Sequence, residues 1–228
     1  MSTEVRRMDP EPVVHRSGTD EGMTLMLRRD EVVEDRLFAH PDHVTADKAT
    51  MCMLIRDVAR RLRAATGPFE VWEPSPDQWY RHVLVPRPEA FSRYTSLYVV
   101  GFFGRKRESV ALEVARSIQD LSAELERRIH DFPGVLSYST HLLADEHNYA
   151  NLVMLDSAST IETWRTIRPH PVAAGRVSVD YYAYVRIYHG EIEVSQMETE
   201  GAVRLRLVKY WDYRSDPVWT AQRPLTPA

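Results

Sequence analysis

Between Tyr94 and Gly190 the chain passes through an apolar stretch, a long amphipathic stretch, two alternating stretches, a second helical stretch and an aromatic alternating stretch. That order predicts strand, helix, strand, strand, helix, strand. A βαββαβ succession closes most simply as one antiparallel sheet with its helices on one face, leaving the other face for a second sheet or a ligand. Architecture is therefore more legible than chemistry.

The individual elements follow from residue spacing. Leu97 to Phe103 is continuously apolar and predicts a central strand buried on both faces. Val110, Val114, Ile118, Leu121, Leu125 and Ile129 recur every three or four residues, which predicts a helix ended by Phe132-Pro133-Gly134. Leu136 to Leu142 and Tyr149 to Leu155 form a predicted hairpin around the polar turn Asp145 to Asn148. Ser159 and Glu162 have the spacing of a capping box opening a second helix, which Pro169 and Pro171 interrupt. Asp180 to Gly190 alternates as the last strand of the unit, and Val203 to Tyr213 adds one more, in this subunit's sheet or a partner's.

The N-terminal 90 residues read differently. Residues 1–22 are polar and predict a flexible arm. Residues 23–90 read as an extension, with a short strand at Thr24 to Leu27 and a helix carrying Met51, Leu54, Ile55, Val58 and Leu62 on one stripe. Five prolines between Pro68 and Pro88 break up regular structure, yet Trp72, Trp79 and Tyr80 are too apolar for a free linker and predict a segment wrapped on the main domain. The main domain is placed at 91–213 and a tail at 214–228.

Composition narrows the classes. A mean hydropathy of -0.40 and the lack of a long apolar run exclude a transmembrane helix. The polar first twenty residues lack the apolar core of a secretory signal, so a cytoplasmic protein is expected. A net charge of -4 provides no global basic field for nucleic acid. The single Cys52, set among Met51, Met53 and Leu54, predicts a buried apolar thiol and allows no disulfide within one chain.

Three stretches, Phe132-Pro133-Gly134-Val135-Leu136-Ser137-Tyr138, Leu155-Asp156-Ser157, and Thr163-Trp164-Arg165 through Pro169-His170, carry a resemblance. Together with the element order, they make residues 94–193 similar to the dimeric α/β-barrel superfamily, the antibiotic-biosynthesis-monooxygenase-like proteins. The resemblance implies an α+β fold: a ferredoxin-like βαββαβ antiparallel sheet with helices on one face, paired with a second copy as a dimeric α/β barrel. It also implies a homodimer with a small-molecule pocket between sheet and helices. Activities across that group include cofactor-free oxygenation and proton-transfer rearrangement of hydrophobic or aromatic metabolites. Haem is a cofactor the resemblance allows but the sequence does not require, and the haem-ligating position of the haem-degrading members falls near Ala174 rather than at His170.

His170, an imidazole beside a proline break, is the expected catalytic acid or base, or else the cap of a surface turn. Trp164 is the expected pocket wall. His141 and His189 lie on strands, where each must face either the helices or the opposite side; each is a candidate substrate contact or a satisfied interior histidine. Tyr184 and Arg186 belong to an aromatic strand face that suits a planar acidic or phenolic ligand, or a dimer interface. The basic loop Gly104 to Arg107 reads as an anion site or a solvated turn. No sequence-local metal motif or nucleophile elbow occurs.

Overall fold

The computed structural model describes residues 24–74, 80–143, 148–166 and 177–226. They build a nine-stranded mixed sheet with helices against both faces. The strands are β1 (Leu25–Met26), β2 (Phe69–Pro74), β3 (Tyr80–Val85), β4 (Ser96–Lys106), β5 (Val135–Leu142), β6 (Asn148–Leu155), β7 (Tyr182–Glu193), β8 (Arg204–Asp212) and β9 (Trp219–Pro224). Their order across the sheet is β1-β9-β8-β7-β4-β6-β5-β3-β2, and the β1/β9 pair is parallel while the other pairs are antiparallel. The helices are α1 (His43–Ala64), α2 (Leu112–Ile129) and α3 (Ser159–Thr166), with a single turn at Ser178–Tyr181 before β7.

This corrects the expected fold. The strands read from residues 94–193 lie side by side as β7-β4-β6-β5, but they are the middle of a larger sheet rather than a four-stranded ferredoxin-like unit with a free face. The expected extension supplies β2 and β3, which pair on through β5, and residues assigned to the tail supply β9 beyond β8. The dimeric α/β barrel falls with this, since it needs an uncovered sheet face. The monooxygenase and haem expectations rested on that barrel and have no support in this sheet.

What covers the face is α1. Its Met51, Leu54, Ile55 and Val58 are buried in one cluster with Val83 and Val85 of β3, Val99 and Phe103 of β4, Leu136 of β5, and Leu152 and Met154 of β6. Gly101 permits the close approach, for a Cβ there would stand 2.6 Å from the Met51 sulfur. The opposite face carries α2 and α3: Ile129 and Leu125 pack with Val135, Tyr138 and Leu155, and Ile161 joins them. Further along α2, Val114 and Ile118 pack with Phe102, Tyr182 and Val185. Alternation along β4 therefore fills a core on both sides.

Two charge clusters hold the N-terminal part in place. Asp47, buried near the start of α1, accepts from Arg186 Nε at 2.6 Å and Nη2 at 3.0 Å, and from the Tyr188 hydroxyl at 2.7 Å. Burial, reinforced by the adjacent Asp47 charge, pushes the Tyr188 pKa well above its ordinary value, so the phenol remains a donor. Arg223 of β9 is 0% exposed and its guanidinium is solvated by carbonyls. It donates to Arg28 O, Arg29 O, Glu31 O and Ala39 O at 2.6 to 3.0 Å, and to the Tyr210 oxygen at 3.1 Å. The segment before α1 is thus strapped over the C-terminal strands, with Phe38 stacked on Tyr184 at 4.5 Å.

Removing one partner of a buried ion pair strands the other charge without water or a counterion, at a cost of about 3–5 kcal/mol. Asp47→Ala is expected to lose that much in urea unfolding, and Asp47→Leu combined with Arg186→Met to regain a large part of it. A loss below about 1 kcal/mol for Asp47→Ala, the range of an exposed pair, would show that the cluster does not anchor α1.

Candidate functional site

The site residues read from the sequence separate onto the two faces. Tyr184 and Arg186 point to the α1 side, where Tyr184 stacks on Phe38 with the Arg214 guanidinium 5.2 Å from its ring and 5.8 Å from that of Phe38, and Arg186 is committed to Asp47. Both are partly buried, in contact with Phe38, Asp47 and Arg214 of the same chain. His141 is 4% exposed on that side. Burial, with a smaller contribution from the Arg81 charge, holds its pKa below the ordinary value. His170 and the side chain of Trp164 lie outside the described residues.

His189 is the expected residue that faces the α2 and α3 side beside a reactive neighbour. Its Nδ1 lies 3.1 Å from the Tyr98 hydroxyl, across the β4/β7 pairing, and both side chains are half-buried. Burial is the main cause of a raised Tyr98 pKa; the Arg206 charge opposes it and the Glu191 charge adds to it. The contact admits either tautomer; with hydrogen on Nδ1 the imidazole donates to the phenol oxygen, which puts the basic lone pair on Nε2 and leaves the phenol its own hydrogen to donate. The pair is thus a donor and a base on one polar row.

That row continues toward the strand ends. Ser96 stands two residues from Tyr98 on β4, and Glu191 and Glu193 follow His189 on β7, so all share the face by the two-residue period. Arg206 of β8 pairs with Glu191 at 2.6 Å and Arg204 with Glu193 at 3.3 Å. At this end the surface opens into a groove of about 640 Å³ whose walls include Ser92, Tyr94, Ser96, Glu193, Ser195 and Arg204. Hydroxyls and an ion pair suit a polar small molecule; Tyr98 stands one side-chain step, about 7 Å, from the Ser96 wall, and His189, opposite Val100, one step further.

Sequence reasoning missed Tyr98 because it sits within the apolar run Leu97 to Phe103. The Glu-x-Glu of β7 and the Arg-x-Arg of β8 carried a signal, since charges at period two on successive strands can pair across them. The basic loop after β4 is not an anion cradle: Arg107 donates to Val179 O and Tyr213 O, and Lys106 lies 5.9 Å from the Tyr181 ring. Among the described residues no three His, Cys, Asp or Glu side chains converge to hold a metal ion, and no helix is long and apolar enough to cross a membrane.

No family model matches the chain, and no curated protein matches it. Among solved structures it is similar to the crystal structure of protein SO0527 from Shewanella oneidensis, at 13% identity and a TM-score of 0.35, over 43% of this chain and 94% of that one.

His43, near the Asp47 cluster, also has its pKa lowered, first by burial and then by the Arg186 charge. For both His43 and His141 the unfolded chain binds the proton more readily than the fold, so their contribution is fully present above the ordinary value of 6.5 and is lost as pH falls below it. Urea midpoints are expected to drop between about pH 6.5 and 5. His141→Asn should flatten that slope, and an unchanged slope would contradict the assignment.

Proposed function

We propose that the protein is a small-molecule enzyme that works by proton transfer, with His189 as the base and Tyr98 as the acid or hydrogen-bond donor. The observation that carries this reading is the 3.1 Å Tyr98–His189 contact, half-buried on the row that leads into the hydroxyl-lined groove. A base must reach the proton it removes, and partial burial strengthens each hydrogen bond without sealing the pair from a ligand. The ligand that the walls suit carries hydroxyl, carbonyl or carboxylate groups around a compact body. This is more polar than the hydrophobic or aromatic metabolite the resemblance implies.

The chemistry needs only that His189 take a proton from carbon or oxygen and that Tyr98 supply or share one at the atom that gains charge. Arg204 and Glu193, paired at 3.3 Å on the groove wall, offer a donor and an acceptor to a polar ligand group, and the Arg206–Glu191 pair lies on the row behind them. No nucleotide motif is required.

The test is solvent exchange. Panels of hydroxy acids, keto acids and phenolic acids are incubated with the protein in D2O and read by proton NMR. A substrate of this site gains deuterium at one position, and His189→Gln or Tyr98→Phe lowers that rate by about 10²–10⁴-fold with folding unchanged by circular dichroism. Binding in the groove with no exchange would replace the enzyme reading with that of a ligand-binding protein. Exchange unaffected by either variant would place the chemistry elsewhere.

A further inference from the structure

The groove at the strand ends is built where β4 begins and β7 ends. Ser96 stands opposite Glu193 in the β4/β7 register, and Val194 N donates to Thr95 O at 2.9 Å. Arg204 enters from the first position of β8. A β-bulge between His189 and Gly190 accompanies its close approach, for a Cβ on Gly190 would stand 2.7 Å from the Arg204 carbonyl oxygen. Both charged walls therefore sit on paired strand backbone rather than on a free loop.

The walls carry no net charge, since Arg204 and Glu193 are the ionised groups among the lining residues and they cancel. One guanidinium nitrogen meets one carboxylate oxygen at 3.3 Å, longer than a strong charge-assisted bond. The two side chains are 64% and 51% exposed, so each keeps capacity for a ligand. Ser92 donates to Glu89 O at 2.9 Å, whereas the Thr95, Ser96 and Ser195 hydroxyls have no protein partner among the described residues. The Tyr94 ring, half-buried against the main core, adds an apolar surface to the same walls.

A planar acceptor beside a planar donor matches two adjacent hydroxyls. One donates to Glu193 while its neighbour accepts from Arg204, and hydroxyls in sequence polarise one another. A lone carboxylate or ammonium gains one wall and meets its own sign at the other. The Tyr94 ring suits the C–H side of such a ligand. The polar row adds a carbonyl, because an imidazole removes a proton from carbon where a neighbouring carbonyl takes up the electrons. We propose that the ligand is a polyhydroxylated carbonyl compound of sugar type, held by a vicinal diol at Glu193 and Arg204. His189 takes the proton beside the carbonyl, the C–H electron pair becomes the enediol double bond, and the carbonyl oxygen takes the Tyr98 proton. The carbonyl part rests on the reading of the Tyr98–His189 row, while the diol part stands on the groove alone.

The probes are D-glucose and D-xylose as neutral sugars, D-gluconate as a polyhydroxy acid, and levulinate as a keto acid without hydroxyls. Isothermal titration reads binding, and proton NMR in D2O reads exchange beside the carbonyl. The sugars are expected to bind with dissociation constants of about millimolar, gluconate within about threefold of glucose, and levulinate at least about tenfold weaker. Glu193→Gln and Arg204→Gln, both at exposed positions, should each weaken sugar binding about five- to tenfold with circular dichroism unchanged. No binding of either sugar, levulinate equal to the sugars, gluconate bound about tenfold tighter than glucose, or sugar affinity untouched by either variant would overturn the proposal. Sugar binding that depends on Glu193 without deuterium exchange upholds the diol site and removes the proton-transfer chemistry. Exchange into levulinate that His189→Gln abolishes, with no sugar bound, upholds that chemistry and overturns the diol site.

Discussion

The buried pairing of Asp47 with Arg186 and Tyr188 is the interaction on which the rest of the structure depends. A sheet whose central strand is apolar on both sides must be covered twice, and the second cover, α1, comes from a segment about fifty residues before β4. Apolar packing alone would tolerate some sliding and rotation of a helix across a sheet. A carboxylate that must meet two guanidinium nitrogens and a phenol at 2.6 to 3.0 Å tolerates very little. The net energy of such a pair against a well-packed apolar alternative is small, so its contribution here is position.

Closing that face moves the available chemistry to the other one. Tyr184 and Arg186 point under α1 and the strap, where they hold structure together, while the neighbouring positions on β7 point toward α2 and α3. One residue of offset along a strand decides between the two fates, because the side-chain period is two. His189 and Arg186 are three positions apart and therefore face opposite ways. The polar row from His189 to Glu193 lies where α2 and α3 no longer seal the surface, which is why exposed charge and half-buried hydroxyl meet there.

The sheet edges show a similar division. β2 is an edge strand, and Glu70, Glu73 and the terminal Pro74 oppose pairing with another chain. At the opposite edge β1 is only two residues long, and Arg223 anchors the segment that follows it through carbonyls. A carbonyl-solvated guanidinium requires no acidic partner and binds several turns of irregular chain at once, so the N-terminal strap and C-terminal hairpin become one unit.

Residue spacing alone disclosed α1, α2 and the strands from β4 to β8, since periods of two and 3.6 are local properties of a chain. The short strand at Thr24 to Leu27 was legible on the same grounds. The hairpin of β2 and β3 was not, because five prolines between Pro68 and Pro88 mask a short alternation, and an edge strand can end in proline. β9 was hidden in residues that read as a tail, for it pairs with β8 through contacts no local window contains. Neither sheet size nor the covering of the second face could be read from the pattern: a four-stranded unit that recruits a partner and a nine-stranded sheet that covers itself have the same local periods. Tertiary structure decided between them by bringing Met51 onto Gly101 and Asp47 onto Arg186, contacts between residues far apart in the chain. The candidate site divides in the same way. His189 was visible as a strand histidine, whereas its partnership with Tyr98 exists only because pairing between strands sets those side chains beside one another.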